Sequence, residues 1–100
     1  MLDRIRVLAA TENLRVTQHA QQEMAEEDIT LDEVLQAITG GSVIENYPEH
    51  RRGACCLLNG PTQAGRSLHI VCTSEQPALI IITVYEPKPP KWLSSTQRSR

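Results

Sequence analysis

The spacing of apolar residues changes once along this chain, at the glycine pair at positions 40 and 41. Before the pair, apolar residues recur every three or four positions, which is typical of helices packed on one side. After it, short runs rich in Val, Ile, Leu, Thr, Tyr and Cys are separated by turn residues, which is typical of β-strands. Helices followed by closely spaced strands indicate an α+β fold, because short connections join antiparallel strands.

The first half of the chain predicts three helices. The first two cover residues 2–10 and 18–27, with a brief extended segment at 14–16 between them and Thr17 as the N-cap of the second. The third begins after Thr30, where Thr30 and Glu33 have the spacing of a capping box. The glycine pair ends this helix, because glycine readily adopts the backbone conformations that follow a helix terminus.

The second half predicts a sheet. Four strands are expected, over residues 42–47, 54–59, 67–74 and 78–86. Their short connections favour an antiparallel meander, with the N-terminal helices packed on one face of this four-stranded sheet. Residues 1–93 form the expected single domain, and residues 94–100 form an expected disordered tail.

Composition narrows the class of protein. The chain has 100 residues, 40% of them hydrophobic, and only 3% aromatic with no Phe, so one aliphatic core is expected. No apolar run is long enough for a membrane span, and no apolar leader follows the N-terminus, so a cytoplasmic location is expected. The three cysteines, two of them adjacent, do not suggest a disulfide framework and are interpreted as small apolar strand residues.

Charge is distributed unevenly between the two halves. Residues 1–50 carry three basic and ten acidic side chains, a net charge of −7, whereas residues 51–100 carry seven basic and two acidic ones, a net charge of +5. The basic half is suited to contact with phosphate, although ordinary surface charge explains the same asymmetry.

Alternation along the last two strands predicts which side chains share a face. The purely apolar sets are expected against the helices: Leu68, Ile70 and Cys72 in one strand, and Ile80, Ile82 and Val84 in the other. A three-residue turn at 75–77 would then place His69 opposite Thr83 and Ser67 opposite Tyr85. This register gathers His69, Thr83 and Tyr85 on the other face.

A His, Tyr and Thr patch with arginines on nearby loops is suited to cleavage of a phosphodiester. Histidine or tyrosine transfers the protons, and arginine stabilises the charge on the phosphorane. The expected catalytic residues are His69, His19, Tyr85 and Thr83. The expected RNA phosphate contacts are Arg52, Arg66 and Arg51. No metal or other cofactor is expected.

Other interpretations of these residues remain open. His69 is alternatively a half-buried structural histidine whose ring is satisfied by Thr83 or a backbone carbonyl. His19 is alternatively a helix-start residue with a local hydrogen bond. The spacing of His19, Glu23 and Glu26 permits a metal site, and hence a metal-dependent hydrolase, although no His-Glu-x-x-His pattern occurs. Catalysis by a cysteine nucleophile that His69 activates is a weaker hypothesis, because no glycine-rich turn presents a cysteine to a substrate.

Several blocks of residues resemble one small bacterial family. They include Thr-Gln-His-Ala at 17–20, the helix from Thr30 to Ile38, Arg-Ser-Leu-His-Ile-Val at 66–71, and Ile-Thr-Val-Tyr-Glu-Pro at 82–87. Together they resemble the family catalogued as domain of unknown function 4258, over about residues 14–92. Proteins of this kind are similar to RelE and MqsR toxins, in which two helices pack on a curved antiparallel sheet.

The resemblance implies a function and partners. It implies the toxin component of a bacterial toxin–antitoxin pair, acting as an RNA endonuclease either on the ribosome or on free RNA, with a cognate antitoxin as protein partner. Glu23 and Glu27 occupy positions where the family usually has arginine, and Lys88 replaces its aspartate. The carboxylates would repel phosphate near His19. The competing expectation is a non-catalytic protein-binding or regulatory module.

Overall fold

The computed structural model describes residues 2–11, 13–50, 53–75 and 77–87. Within them the elements follow one another in this order: α1 Leu2–Ala10, β1 Leu14–Val16, α2 Gln18–Glu26, α3 Leu31–Gly40, β2 Ser42–Tyr47, β3 Cys55–Pro61, β4 Ser67–Thr73 and β5 Leu79–Tyr85. The strands form one sheet with the spatial order β1-β5-β4-β3-β2. The fold is therefore α+β, as the sequence predicted. The expected domain end at residue 93 and the tail at 94–100 lie outside the described residues.

The sheet has five strands, so the prediction of four is wrong. The additional strand, β1, runs parallel to β5, with Leu14 opposite Leu79 and Val16 opposite Ile81. The other four pair with their chain neighbours in antiparallel order, as in the predicted meander. A segment of three residues, such as β1, is too short for the alternation of apolar and polar side chains to identify it as a strand. Only the distant partner β5 makes this extended segment part of the sheet.

The predicted helix caps are present. The Thr17 side chain accepts a hydrogen bond from the backbone N–H of Ala20 at the start of α2. At the start of α3, Thr30 and Glu33 form the complete capping box. These bonds satisfy backbone donors that a helix terminus would otherwise leave unpaired.

The core lies between the three helices and one face of the sheet. The helices contribute Ile5, Leu8, Ala9, Ala20, Val34, Ala37 and Ile38; the strands contribute Cys56, Leu58, Leu68, Ile70, Cys72, Leu79, Ile81 and Val84. These residues are aliphatic or cysteine, as the scarcity of aromatics predicted. Burial of this apolar surface is the main favourable contribution to folding.

The pairing of β4 with β5 differs from the prediction. His69 lies opposite Tyr85, and Thr83 lies opposite Val71, rather than opposite His69. The register then shifts, leaving Ile82 as an extra residue in β5. Such a bulge reverses which side chains face the core on one side of it.

The bulge also changes which residues of β5 are buried. Leu79 and Ile81 are buried in the core, whereas Ile80 and Ile82, the residues expected there, are only partly buried. The assignment of Val84 to the helix-facing side is confirmed. Because residues 79–82 are all apolar, alternation provided no polar marker from which to find the bulge.

Candidate functional site

A row of polar side chains crosses the sheet on the face opposite the helices. Ser42 of β2 lies opposite Asn59 of β3, Asn59 lies opposite His69 of β4, and His69 lies opposite Tyr85 of β5. Residues next to them along the strands, such as Leu58, Leu68 and Val84, belong to the core, so alternation places this row on the other face. We call these four residues the polar row.

His69 and Tyr85 make the central contact of the polar row. His69 Nδ1 lies 3.2 Å from the Tyr85 hydroxyl oxygen, within hydrogen-bonding distance. The two ring centroids are 5.2 Å apart at an interplanar angle of 62°, an edge-to-face arrangement. A hydrogen bond at one ring nitrogen sets the tautomer and the orientation of a neutral imidazole.

Burial determines how this pair can act. The exposed fraction of His69 is 0%, and Tyr85 is half-buried. A hydrogen bond sheltered from water is electrostatically stronger than one on the surface. A phosphodiester reaches the imidazole only if this face of the sheet opens locally.

Asn59 is a site residue that the sequence analysis missed. It lies directly opposite His69, and its buried amide oxygen Oδ1 has no hydrogen-bond partner within the described part of the chain. A buried acceptor without a donor is costly and is uncommon in folded proteins. The signal was available in the sequence, because asparagine is disfavoured in strands and here interrupts the apolar run of β3.

Thr83 and Glu45 lie on the same face as the polar row. Thr83, half-buried, lies opposite Val71, two residue pairs along the strands from His69 and Tyr85. Glu45 is brought to this face by a second bulge, at Ile44, which places it opposite Leu57. The Tyr47 hydroxyl donates a hydrogen bond to the Glu45 carboxylate. A bulge re-aims a side chain in a way that alternation alone does not predict, so Glu45 could not be assigned from the sequence.

The structure separates His19 from His69. His19 projects from α2, the helix whose Ala20 belongs to the core on the other side of the sheet. Its side chain is 66% exposed, and Nε2 lies 3.4 Å from Glu23 Oε1. The two predicted proton-transfer residues are therefore not brought together across one ligand site.

Glu23 and Glu27 accept backbone hydrogen bonds along the outer edge of β5. Beyond its three-residue pairing with β1, β5 is flanked by α2. There the Glu23 carboxylate accepts from the N–H of Val84 at 3.0 Å, and the Glu27 carboxylate accepts from the N–H of Glu86 at 2.9 Å. An arginine side chain has no acceptor and could not make these bonds.

Burial raises the pKa of the Glu23 carboxyl above its usual value. The hydrogen bond from Val84 and the nearby His19 act in the opposite direction but do not outweigh burial. Removing a carboxylate from water disfavours its charged form, which is the physical cause of this shift.

The Arg66 side chain joins elements of the fold. Its guanidinium lies 3.3 Å from a Glu86 carboxylate oxygen and 3.4 Å from one of Glu33, and it donates to the backbone oxygens of Glu27 and Asp28. These acceptors occupy the guanidinium, so the contacts support a structural role rather than the expected phosphate contact. The other two expected phosphate ligands, at positions 51 and 52, lie outside the described residues.

Another concave region of the described structure lies away from the polar row. A groove of about 590 Å³ lies between α3 and the turn after β3, beside Leu35, Gln36 and Pro61, and none of the predicted site residues lines it. Within the described ranges, no group of three His, Cys, Asp or Glu side chains is arranged to hold a metal ion. None of the described helices has the length and apolar character needed to cross a bilayer.

Comparison with known proteins gives one result. A family model described as "Domain of unknown function (DUF4258)" matches residues 16–86, which include the polar row, Glu23 and Glu27. No curated protein and no solved structure gave a significant match. The matched region covers well over half of the chain, and the chain therefore belongs to this DUF4258 family.

Proposed function

We propose that this protein is a metal-independent RNA endonuclease of the bacterial toxin type, with His69 and Tyr85 as its proton-transfer residues. The observation that carries the proposal is the hydrogen-bonded His69–Tyr85 pair at the centre of the polar row, beside the unpaired amide oxygen of Asn59. The similarity of the family to RelE and MqsR toxins, suggested by the sequence, supports the same reaction class.

The chemistry of RNA cleavage matches these groups. A base removes the proton of the 2′-hydroxyl, an acid protonates the departing 5′-oxygen, and positive charge or hydrogen-bond donors stabilise the phosphorane. His69 and Tyr85 exchange these protons, one as the base and the other as the acid, and the hydrogen bond between them orients the imidazole ring. Asn59 accepts a hydrogen bond from the substrate, and Arg51 and Arg52 supply the positive charge.

Substrate access is a second part of the proposal. Because His69 is fully buried, this sheet face must open before RNA can bind. Many enzymes bind substrate and release product through opening of the segments that cover the active site. RNA, free or on the ribosome, is the proposed substrate in the cytoplasm, and a cognate antitoxin is the proposed protein partner.

The test compares the wild type with His69→Gln and with His19→Ala as the matched control. Induction of the wild type should arrest growth and fragment RNA, and His69→Gln should lower the cleavage rate about 10²–10⁴-fold. His19→Ala should retain cleavage, since His19 lies away from the polar row. Cleavage should continue in the presence of a metal chelator.

Folding is checked alongside activity. Circular dichroism of each purified variant separates loss of chemistry from loss of structure. Intact RNA with folded wild-type protein, or equal cleavage by folded His69→Gln, would overturn the nuclease proposal. Loss of cleavage in chelator would instead indicate a metal-dependent hydrolase.

A second candidate function is a non-catalytic protein-binding module. The observation that favours it is the exposed acidic surface formed by Glu26, Asp28 and Asp32, which is suited to a basic protein and not to RNA. Co-expression with the protein encoded by the neighbouring gene tests this function. A complex that is weakened by Glu26→Lys and Asp32→Lys, formed by a wild type that leaves RNA intact, would support it.

A further inference from the structure

Two cysteine thiols face each other inside the core. Cys56 of β3 lies directly opposite Cys72 of β4, and neither forms a disulfide. Their exposed fractions are 1% and 0%. Both belong to the core cluster beneath the helices, whereas Cys55, the preceding residue, points to the other face and donates to the backbone oxygen of Gly53 at 3.2 Å.

The position of this cysteine pair fits the geometry of a disulfide. Directly opposed residues of antiparallel strands have Cα atoms about 4.5–5.5 Å apart. Disulfides span Cα separations of about 4.4–6.8 Å. Cys56 and Cys72 can therefore be joined without a change of register between β3 and β4.

The two thiols also differ in chemical character. A hydrogen bond from Cys72 lowers the pKa of the Cys56 thiol, although burial opposes the shift. The same contact raises the pKa of the Cys72 thiol, and burial adds to that rise. Since the thiolate is the reactive form, these directions favour Cys56 over Cys72 as the first sulfur to react.

We propose that Cys56 and Cys72 form a reversible disulfide when a hydroperoxide oxidises Cys56. In the first step the Cys56 thiolate attacks a peroxide oxygen and the O–O bond breaks. Cys56 becomes a sulfenic acid, and the other oxygen leaves and takes up a proton, as water from hydrogen peroxide or as an alcohol from an organic hydroperoxide. In the second, the Cys72 sulfur attacks the Cys56 sulfur and the S–OH bond breaks, releasing water. With hydrogen peroxide, two thiols and one peroxide give one disulfide and two waters.

The disulfide would act on the strands that carry the polar row. Asn59 lies three residues after Cys56 in β3, and His69 lies three residues before Cys72 in β4. A disulfide between the two cysteines holds β3 and β4 together and limits local opening of the sheet. The inference does not depend on the proposed nuclease activity, because it concerns thiols on the other face of the sheet.

The experiment treats fully reduced protein with hydrogen peroxide, removes the peroxide, and alkylates the denatured protein before measuring its intact mass. The wild type should lose the mass of two hydrogen atoms and retain one alkylatable thiol, at Cys55, of the three in the chain. Dithiothreitol should restore all three. Low concentrations of denaturant should accelerate oxidation, because peroxide reaches the buried pair through local opening.

Single substitutions identify which two cysteines form the disulfide. Cys55→Ala is the matched control and should form the same disulfide, leaving no alkylatable thiol. Cys56→Ala and Cys72→Ala should form no intramolecular disulfide. Three alkylatable thiols in peroxide-treated wild type, or a disulfide in Cys56→Ala, would overturn the proposal. Cys55→Ala keeps both cysteines of the proposed disulfide, so its result tests the proposal even if Cys56→Ala or Cys72→Ala fails to fold.

Discussion

Glu23 illustrates how the surroundings of one side chain change its interpretation. In the sequence it is a carboxylate where the family usually has arginine, which is unfavourable for phosphate binding near His19. In the structure its carboxylate accepts the N–H of Val84 in a strand that has no further strand beside it there. Unpaired strand edges invite association with other chains, so this contact has a protective role.

The pH dependence of stability tests this interpretation. Burial raises the pKa of Glu23 in the folded state. As the pH rises, the unfolded state therefore loses this proton first, and the Glu23 contribution to the free energy of unfolding falls between the ordinary and the raised pKa. Glu23→Gln keeps an acceptor for Val84 without a charge, so its stability relative to the wild type should increase across that interval.

Urea unfolding over the pH range in which glutamate titrates measures this difference. Glu23→Leu, which lacks an acceptor, should lose about 1–3 kcal/mol at neutral pH. Glu49→Gln, in an exposed turn, is the control and should follow the wild type. Parallel pH curves for Glu23→Gln and the wild type would contradict the expected effect of burial.

At the scale of elements, the close packing of α3 against β3 depends on a glycine. Gly60 is buried, and a Cβ atom added there would overlap the backbone carbonyl of Ala37 in α3. Gly40, at the end of α3, is exposed, and a Cβ there would make only an ordinary contact with Pro61 at 3.4 Å. The two glycines therefore have different roles in the same interface.

Alanine substitutions at these glycines should have opposite effects. Gly60→Ala should destabilise the protein by about 1–3 kcal/mol, because α3 must move away from the sheet. Gly40→Ala should be neutral or stabilising by up to about 1 kcal/mol, since alanine restricts the unfolded chain and favours the helix. Chemical denaturation of both variants makes the comparison. Equal losses would show that the α3–β3 distance is not limited by Gly60.

At the scale of the whole molecule, one side chain connects parts of the chain that are distant in sequence. Arg66, just before β4, contacts Glu33 in α3, Glu86 after β5 and the backbone of the turn between α2 and α3. Its side chain is 24% exposed, so solvent screens these ion pairs only in part. The Arg66 guanidinium also stabilises the fold through hydrogen bonds, whose geometry is fixed because the group is planar.

Replacement of Arg66 should therefore destabilise the whole fold. Arg66→Ala should cost about 1–3 kcal/mol, because the carbonyl oxygens of Glu27 and Asp28 lose their donors. Arg66→Lys should recover only part of this loss, since an ammonium group cannot serve all the acceptors together. Thermal unfolding measures both, and Arg15→Ala, exposed on β1, should change stability by less than about 0.5 kcal/mol. If Arg66→Ala lost no more stability than Arg15→Ala, the contacts of Arg66 would not stabilise the fold.

The sequence by itself determined the local elements of this fold. The caps at Thr17 and Thr30, the end of α3 at the glycine pair, and the positions of β2 to β5 all depend on residues near one another in the chain. Helix periodicity and capping are local properties, which is why these predictions agree with the structure within a few residues.

Only the tertiary structure decided how those elements combine into a candidate site. The parallel pairing of β1 with β5 and the bulges at Ile44 and Ile82 depend on partners far away in sequence. The sequence did place His69 and Tyr85 on one face, but the bulge at Ile82 made them direct partners and moved Thr83 opposite Val71. A strand register is set by contacts along its whole length, and one inserted residue changes every assignment beyond it.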